Sequence, residues 1–451
     1  MAAWLYAVAA CCLTWALQLY DGTRPDSTAL ALVVTALVLT LMGLNDHRPL
    51  RRSGLLQWAL LAMLLAQLCA HLTVSPGKHL DLARGGFRSF NLAILAVAMA
   101  ATVTVTRPQW NRRTGSIVLL MALAVGLWFL RKGGQPEIDV HEFQQQGCAA
   151  LARMANPYNL TFRNLYPDNT PFYAPGLAVH GRLQFGFIYP PLSLYLAMPG
   201  WLLTGDHRYG QWLALVLAGA LVMRARPAPV AVLAVALLLF APRSLFIVEQ
   251  AWTEPFVLLG LAAVLYSALR RPQWLPWALG LWLSTKQYMV LVAPLGLLLL
   301  PRPWSWCSVW AMTWRALAVV AAVCLPWWLV NPEAFAKSVV WLQILQPFRA
   351  DSLSLLAAFA QNGQSPLPTW TCFIAAGLAL GYALWRAPRT ASGLAAGTAA
   401  VLLAFLLLNK QAFWNYYFLP LGALWFGVAL AGLGAGQAAT AVDEATSATG
   451  P

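Results

Sequence analysis

The sequence predicts an all-α polytopic membrane protein with about fourteen transmembrane helices, and three observations predict it. Of 451 residues, 60% are hydrophobic and only 10% are charged, with a mean hydropathy of +0.63, whereas an ordinary soluble domain carries about 25% charged residues. Apolar runs of about 17 to 20 residues recur along the chain, the length that crosses a hydrocarbon core. Short Arg groups separate many of them, the pattern of cytoplasmic loops under the positive-inside bias. One membrane-embedded unit therefore replaces the two or three soluble domains that length alone would suggest.

The apolar runs lie at 4–20, 28–45, 55–74, 90–106, 115–131, 189–204, 209–223, 229–247, 253–269, 274–285, 287–300, 313–330, 367–386, 391–408 and 414–433. Arg48, Arg51 and Arg52 mark one cytoplasmic loop, and Arg107, Arg112 and Arg113 mark another. The run 115–131 then leads outward, which makes 132–208 an extracytoplasmic loop. If 189–204 (YPPLSLYLAMPGWLLT) also crossed, Arg224 and Arg226, Arg270 and Arg271, Arg302, and Arg386 and Arg389 would all face outward. Laying that run along the membrane surface returns every one of them to the cytoplasm. Its Tyr-Pro-Pro opening, internal Pro199 and marginal length suit an interfacial helix. Fourteen crossings remain, with both termini inside. The short runs 274–285 and 287–300 count among them, and the outer loop 75–89 carries Lys78, Arg84 and Arg88 against the trend.

The net charge of +14, from 29 Lys and Arg against 15 Asp and Glu, would suggest nucleic acid only if it gathered on a soluble face. It is spread among loops, so it encodes topology. The seven cysteines lie mostly inside apolar runs, with Cys148 in the long polar loop, and form neither a disulfide framework nor a zinc spacing. No metal and no cofactor is expected. The opening MAAWLYAVAACC lacks the basic segment of a cleaved signal and is read as the first helix. The Ala, Gly and Thr-rich stretch 434–451 is expected to be a disordered cytoplasmic tail.

This topology places four distant polar groups at one extracytoplasmic membrane boundary: IDVHEF (Asp139, His141, Glu142), VEQAWTEP (Glu249, Glu254), TKQY (Lys286, Gln287, Tyr288) and NKQAFWNYY (Lys410, Gln411, Asn415, Tyr416, Tyr417). Singly, each has a bland explanation, since lysines snorkel and Trp and Tyr form interfacial belts. Their shared side argues for a site. A carboxylate just after a span, in a loop that also holds Arg163, His180 and Arg182, can take a proton from a hydroxyl nucleophile. Cations at the same depth can neutralise a phosphate leaving group. Together these parts suit transfer from a lipid-linked phosphate donor, with the polyprenyl chain between helices and its phosphate beside Lys286 or Lys410. The sequon Asn159-Leu160-Thr161 matters only in a secretory compartment that glycosylates.

The segment DVHEFQQQGCAALARMANPY resembles the first-loop signature of the GT-C glycosyltransferases of family 87, the polyprenol-phosphate-mannose-dependent mannosyltransferases. The matching positions are Asp139, Phe143 where Tyr is more usual, Ala149, Ala150 and Asn156-Pro157-Tyr158. FIYPPLSLYLAMPGW resembles the Tyr-Pro-Pro-Leu segment that follows in the family and forms a juxtamembrane helix there. The similarity runs over about 115–433, leaving 1–114 as an added block of four transmembrane helices before a GT-C-like catalytic domain. The resemblance implies a polyprenyl-phosphate-sugar donor, mannose as the sugar, inversion at the anomeric carbon, and Asp139 as the general base; the expected partner is a glycolipid or glycan acceptor, whose identity the sequence leaves open. Lys286, Lys410 and Arg182 are the candidates for the donor phosphate. His141, Glu142, Tyr189, Glu254, Gln287, Gln411 and Tyr416 are the candidates for binding sugar or acceptor hydroxyls.

Two rivals share the membrane fold. A lipid-linked-sugar flippase or transporter would place polar, broken helices near the midplane in repeated halves, and no such repeat stands out. A structural subunit would need no carboxylate and cations on one face.

Overall fold

In lipid every backbone N–H and C=O must be satisfied within the chain, which leaves helices as the only spanning element for a sequence this rich in long apolar runs. The computed structural model, which describes residues 1–48, 53–73, 75–78, 87–167, 170–300 and 303–431, is accordingly 73% helical and defines an all-α membrane protein. Arg51, Arg52, Arg84, Arg302 and the tail 434–451, all used in reading the sequence, lie outside the described residues.

Five long helices open the chain: α1 (Ala2–Leu19), α2 (Ser27–Leu44), α3 (Ser53–Thr73), α4 (Phe87–Thr106) and α5 (Asn111–Lys132). Asp26 caps α2 by accepting a 2.7 Å bond from the Ala29 N–H, satisfying one of the donors that every helix start leaves open. The polar loop then carries α6 (Asp139–Ala152), a small sheet of β1 (Phe162–Arg163), β2 (Ala178–Val179) and β3 (Arg182–Leu183) in the order β1-β3-β2, and α7 (Leu192–Thr204). The hairpin joining β2 to β3 turns on His180 and Gly181, both at positive φ (50° and 72°). Two consecutive positive-φ residues are what a two-residue hairpin needs to match the twist of its strands.

The remaining helices are α8 (Arg208–Ala225), α9 (Pro229–Leu239), α10 (Ser244–Glu249), α11 (Glu254–Arg270), α12 (Leu275–Leu283), α13 (Trp306–Val330), α14 (Pro332–Ala336), α15 (Leu342–Leu345), α16 (Leu355–Gln361), α17 (Thr371–Arg386), α18 (Ala391–Leu407) and α19 (Trp414–Leu430). A π-turn, Lys337–Trp341, joins α14 to α15. Helices α9, α18 and α19 are apolar all round and almost wholly buried, which makes them the core. The first helices pack directly on it: α1 lies on α2 and α19, α2 on α18, and α3, α4 and α5 on α9.

Among the described residues, six helices are long and apolar enough to cross a membrane, namely α1 to α4, α5 with the turn before it, and α13. Fourteen spans were expected, and the structure does not give that count. Three of the other runs are broken or shortened by residues that hydropathy averages away, while α8, α11, α17, α18 and α19 keep 16 to 18 residues each. The run 229–247 stops at Phe240-Ala241-Pro242 and resumes as α10. The run 274–285 keeps only the nine residues of α12, and 287–300 is two 3-10 segments, Gln287–Leu291 and Ala293–Leu299. The expected interfacial segment α7 has 13 residues, about 20 Å of helix against a hydrocarbon core of about 30 Å. It packs on α6 and α8. A Cβ at Gly200 would stand 2.3 Å from the Gly210 nitrogen, so only glycine permits that approach.

Candidate functional site

Asp139 opens α6, where the N-terminal end of the helix dipole favours a carboxylate. Its Oδ1 accepts 2.8 Å from the Val140 N–H, and its Oδ2 accepts 2.6 Å from the Tyr173 hydroxyl. Burial pushes the Asp139 pKa above the ordinary carboxylate value, against the opposing pull of the Tyr173 bond, the Val140 N–H and the positive charge of Arg349. The result is a carboxylate that is held in place and made more basic.

Arg349 comes from the turn after α15. Its guanidinium grips Asp351 through Nε–Oδ1 at 2.8 Å and Nη2–Oδ2 at 2.5 Å, and lies over the Phe172 and Phe413 rings at 4.1 and 5.0 Å. Stacking and a bidentate fork hold an arginine in one place. The Tyr20 hydroxyl at the end of α1 donates 2.5 Å to the Asp351 carbonyl, and the Trp414 indole donates 2.9 Å to the Tyr20 carbonyl.

Beside this lies a buried ion pair. Lys286 Nζ meets Glu254 Oε1 at 2.5 Å, Asn415 Nδ2 donates to the same oxygen at 3.1 Å, and Tyr189, Tyr288 and Tyr416 surround the ammonium at 5.2, 5.3 and 5.4 Å from their ring centres. Both Asp139 and Glu254 act electrostatically on Tyr189 and on Tyr416, and Arg349 acts on Tyr416. The two clusters therefore form one site with Tyr189 and Tyr416 between them.

Tyr416 also lines a cavity of about 500 Å³. Leu291, Ile344, Phe373, Phe405 and Leu406 give it an apolar body, and Gln287, Asn409, Lys410 and Gln411 give it a polar mouth. Lys410 Nζ donates 2.8 Å to the Ile344 carbonyl, a neutral partner, which leaves two of its three N–H groups for a ligand. Burial lowers its pKa from the ordinary lysine value. Gln411 donates 3.0 Å to the Pro347 carbonyl, while Gln287 ties the Ile188 carbonyl (2.6 Å) to the Val339 carbonyl (3.1 Å) inside the π-turn. The Arg349 N–H donates 3.0 Å to the Lys410 carbonyl, so the cation of the mouth and the cation beside Asp139 sit on hydrogen-bonded segments.

Of the residues chosen from sequence, Asp139, Tyr189, Glu254, Lys286, Gln287, Lys410, Gln411 and Tyr416 are thus gathered at the site and its adjoining cavity. Three go elsewhere. His141 lies about 200° round the helix from Asp139, buried with its ring 5.0 Å from that of His207. Glu142 accepts 2.5 Å from Gln146 on its own helix. Arg182 stands on the sheet, where its guanidinium donates to the Thr161 carbonyl at 3.0 Å and hydroxyl at 2.7 Å. Sequence reasoning missed Arg349, Asp351 and Tyr173. The visible signal was an Arg and an Asp two residues apart after Gln346-Pro347, in a polar connection that no apolar run claimed. Among the described residues, no three His, Cys, Asp or Glu side chains are grouped to hold a metal.

The fold and site define the class as an integral membrane protein with a buried ionic and aromatic site opening on an apolar cavity. No family model, curated protein or solved structure matches the chain.

Proposed function

We propose that the protein is a membrane glycosyltransferase that moves a sugar from a polyprenyl-phosphate donor to an acceptor hydroxyl on the extracytoplasmic face, with inversion and with Asp139 as general base. The observation that carries this reading is the cavity of about 500 Å³, apolar in its body and cationic at a mouth that adjoins the Asp139 and Arg349 cluster. A donor made of a hydrocarbon chain, a phosphate and a sugar needs those three environments in that order. The resemblance of the segment from Asp139 to Tyr158 to family 87 points the same way and supplies mannose as the sugar.

The polyprenyl chain lies along Leu291, Phe373 and Phe405, and its phosphate meets Lys410, while Arg349, paired with Asp351, sits on the segment hydrogen-bonded to Lys410. The acceptor hydroxyl loses its proton to Asp139 as its oxygen attacks the anomeric carbon. The bond from that carbon to the phosphate oxygen breaks, and the electron pair leaves with the lipid phosphate. Charge builds on the departing phosphate, and preorganised cations in a partly dehydrated cleft stabilise it by about 3 kcal/mol for each well-aimed contact. Lys286 has a different part. Its charge is neutralised by Glu254, so it braces the tyrosine wall that faces the sugar.

The test is transfer from a labelled polyprenyl-phosphate sugar in vesicles containing the purified chain. Asp139→Asn abolishes transfer and keeps donor binding, whereas Lys410→Ala weakens donor binding. Wild-type turnover by Asp139→Asn rules the mechanism out, and movement of the labelled lipid across the bilayer without transfer identifies a flippase.

A further inference from the structure

A second hollow, of about 360 Å³, opens beside the sheet. Its floor includes Tyr158, whose hydroxyl donates 2.9 Å to the Tyr189 carbonyl, so it abuts the wall of the first site. Amides and a hydroxyl of Asn159, Gln184, Asn331 and Thr161 line it, together with Lys337 from the π-turn. The Asn331 amide donates 2.8 Å to the Asn159 side chain across it. Arg182 stands at its edge, bonded to Thr161.

The sheet beside it contains an arrangement that folding alone does not favour. In the antiparallel pairing of β1 with β3, Arg163 lies directly opposite Arg182, and both side chains are exposed. Like charges in directly opposed positions destabilise a strand pair. Among the described residues neither arginine makes an ion pair, and Lys337 makes none with Glu333 one turn before it. Lys337 thus lines a hollow of planar amides and hydroxyl groups, and the two unneutralised arginines stand on the sheet beside it, close in the chain to its Thr161 and Gln184. Cations select an anionic group, and amides and hydroxyls match the hydroxyls of a saccharide.

We infer that this hollow binds an anionic saccharide, one carrying phosphate or carboxylate, between Lys337 and the Arg163–Arg182 pair. On the transferase reading, on which only this placement rests, the ligand is the acceptor. The binding itself is independent of that reading and is measured without donor.

The purified full-length chain in detergent is titrated with a phosphorylated mannose oligosaccharide, with the neutral oligosaccharide of equal length, and with inorganic phosphate. The phosphorylated saccharide binds at least tenfold tighter than either control, and Arg163→Gln and Lys337→Gln each weaken it about tenfold. Without ligand, Arg163→Gln melts at or above the wild-type temperature, because it removes the repulsion across the strands. Equal binding of the neutral saccharide, equal binding of inorganic phosphate, or unchanged affinity in both variants overturns the inference. Loss of transfer in vesicles with saccharide binding intact counts against the transferase reading alone.

Discussion

Lys286 separates two kinds of explanation for the site. Its side chain is 3% exposed and that of Glu254 is 0% exposed, with 2.5 Å between charges, a second hydrogen bond to the carboxylate from Asn415, and three tyrosine rings around the ammonium. Removing one partner of such a pair leaves the other buried and uncompensated, at a cost of about 3–5 kcal/mol. Lost cation–π contacts add about 1 kcal/mol or more in a desolvated box. Lys286→Met, which keeps the apolar stem, should therefore lower the melting temperature by many degrees, and Glu254→Gln should do nearly as much. The double variant Glu254→Gln with Lys286→Met carries no orphaned charge, so it should recover much of the loss. Thermal unfolding of the four proteins in one detergent closes this double-mutant cycle. Donor affinity, measured on the same samples, should follow Lys410 rather than Lys286. A Lys286→Met protein that melts like wild type and has lost donor affinity would refute this reasoning and return the lysine to the phosphate.

Two further predictions follow from the charged groups outside the spans. Tyr173→Phe removes a hydrogen bond that holds down the raised Asp139 pKa, so the carboxylate should bind its proton more tightly; because the base works deprotonated, the acid limb of the transfer profile should move to higher pH, and an unmoved limb argues that Asp139 is not the base. His207 is buried and held neutral, its pKa pushed down to about 3 first by burial and then by the charges of His141 and Arg208. The unfolded chain takes up a proton near pH 6.5 that the folded chain refuses, so stability is complete above that pH and falls by up to about 1.4 kcal/mol per unit as pH drops toward 3. His207→Gln should flatten that part of a pH series of melting temperatures, and an unchanged slope assigns the loss to other groups.

The helical class was legible because burial in lipid forces it, and composition reports that directly. The span count was not. Hydropathy averages over a window, and a window cannot see that Pro242 ends α9 or that the stretch after Gln287 winds as 3-10 turns. The site was half legible for a similar reason. Glu254, Lys286 and Lys410 stand out as charges in apolar surroundings, whereas Arg349 and Tyr173 lie in segments where polar residues are ordinary. Only folding shows that they face Asp139. His141 was misplaced because IDVHEF was read as a short cluster, and winding it into a helix sends residues two apart to opposite sides.

The failures of the span count and the composition of the site have one cause. Asp139 begins α6, Glu254 begins α11 just after the break that follows α10, Lys286 follows the truncated α12, Arg349 follows α15, and Lys410 lies between α18 and α19. Each of these five charged side chains of the candidate site sits where a helix begins or after one ends. Within a membrane protein, non-helical backbone is tolerated only where protein surrounds it or it lines a cavity, so the broken ends had to meet one another rather than lipid. Their carbonyls are satisfied across the site: Ile188 and Val339 by Gln287, Ile344 by Lys410, Asp351 by Tyr20, and Leu353 by Tyr417. Gln287, Lys410 and Tyr417, which close four of those five bonds, come from the same polar segments that carry the candidate site. A sequence search that looks for apolar runs falling short of a full span, and then for the polar residues at their ends, therefore reaches Lys286 between the runs 274–285 and 287–300, whereas Arg349, in a connection that no apolar run claims, is found only in the fold.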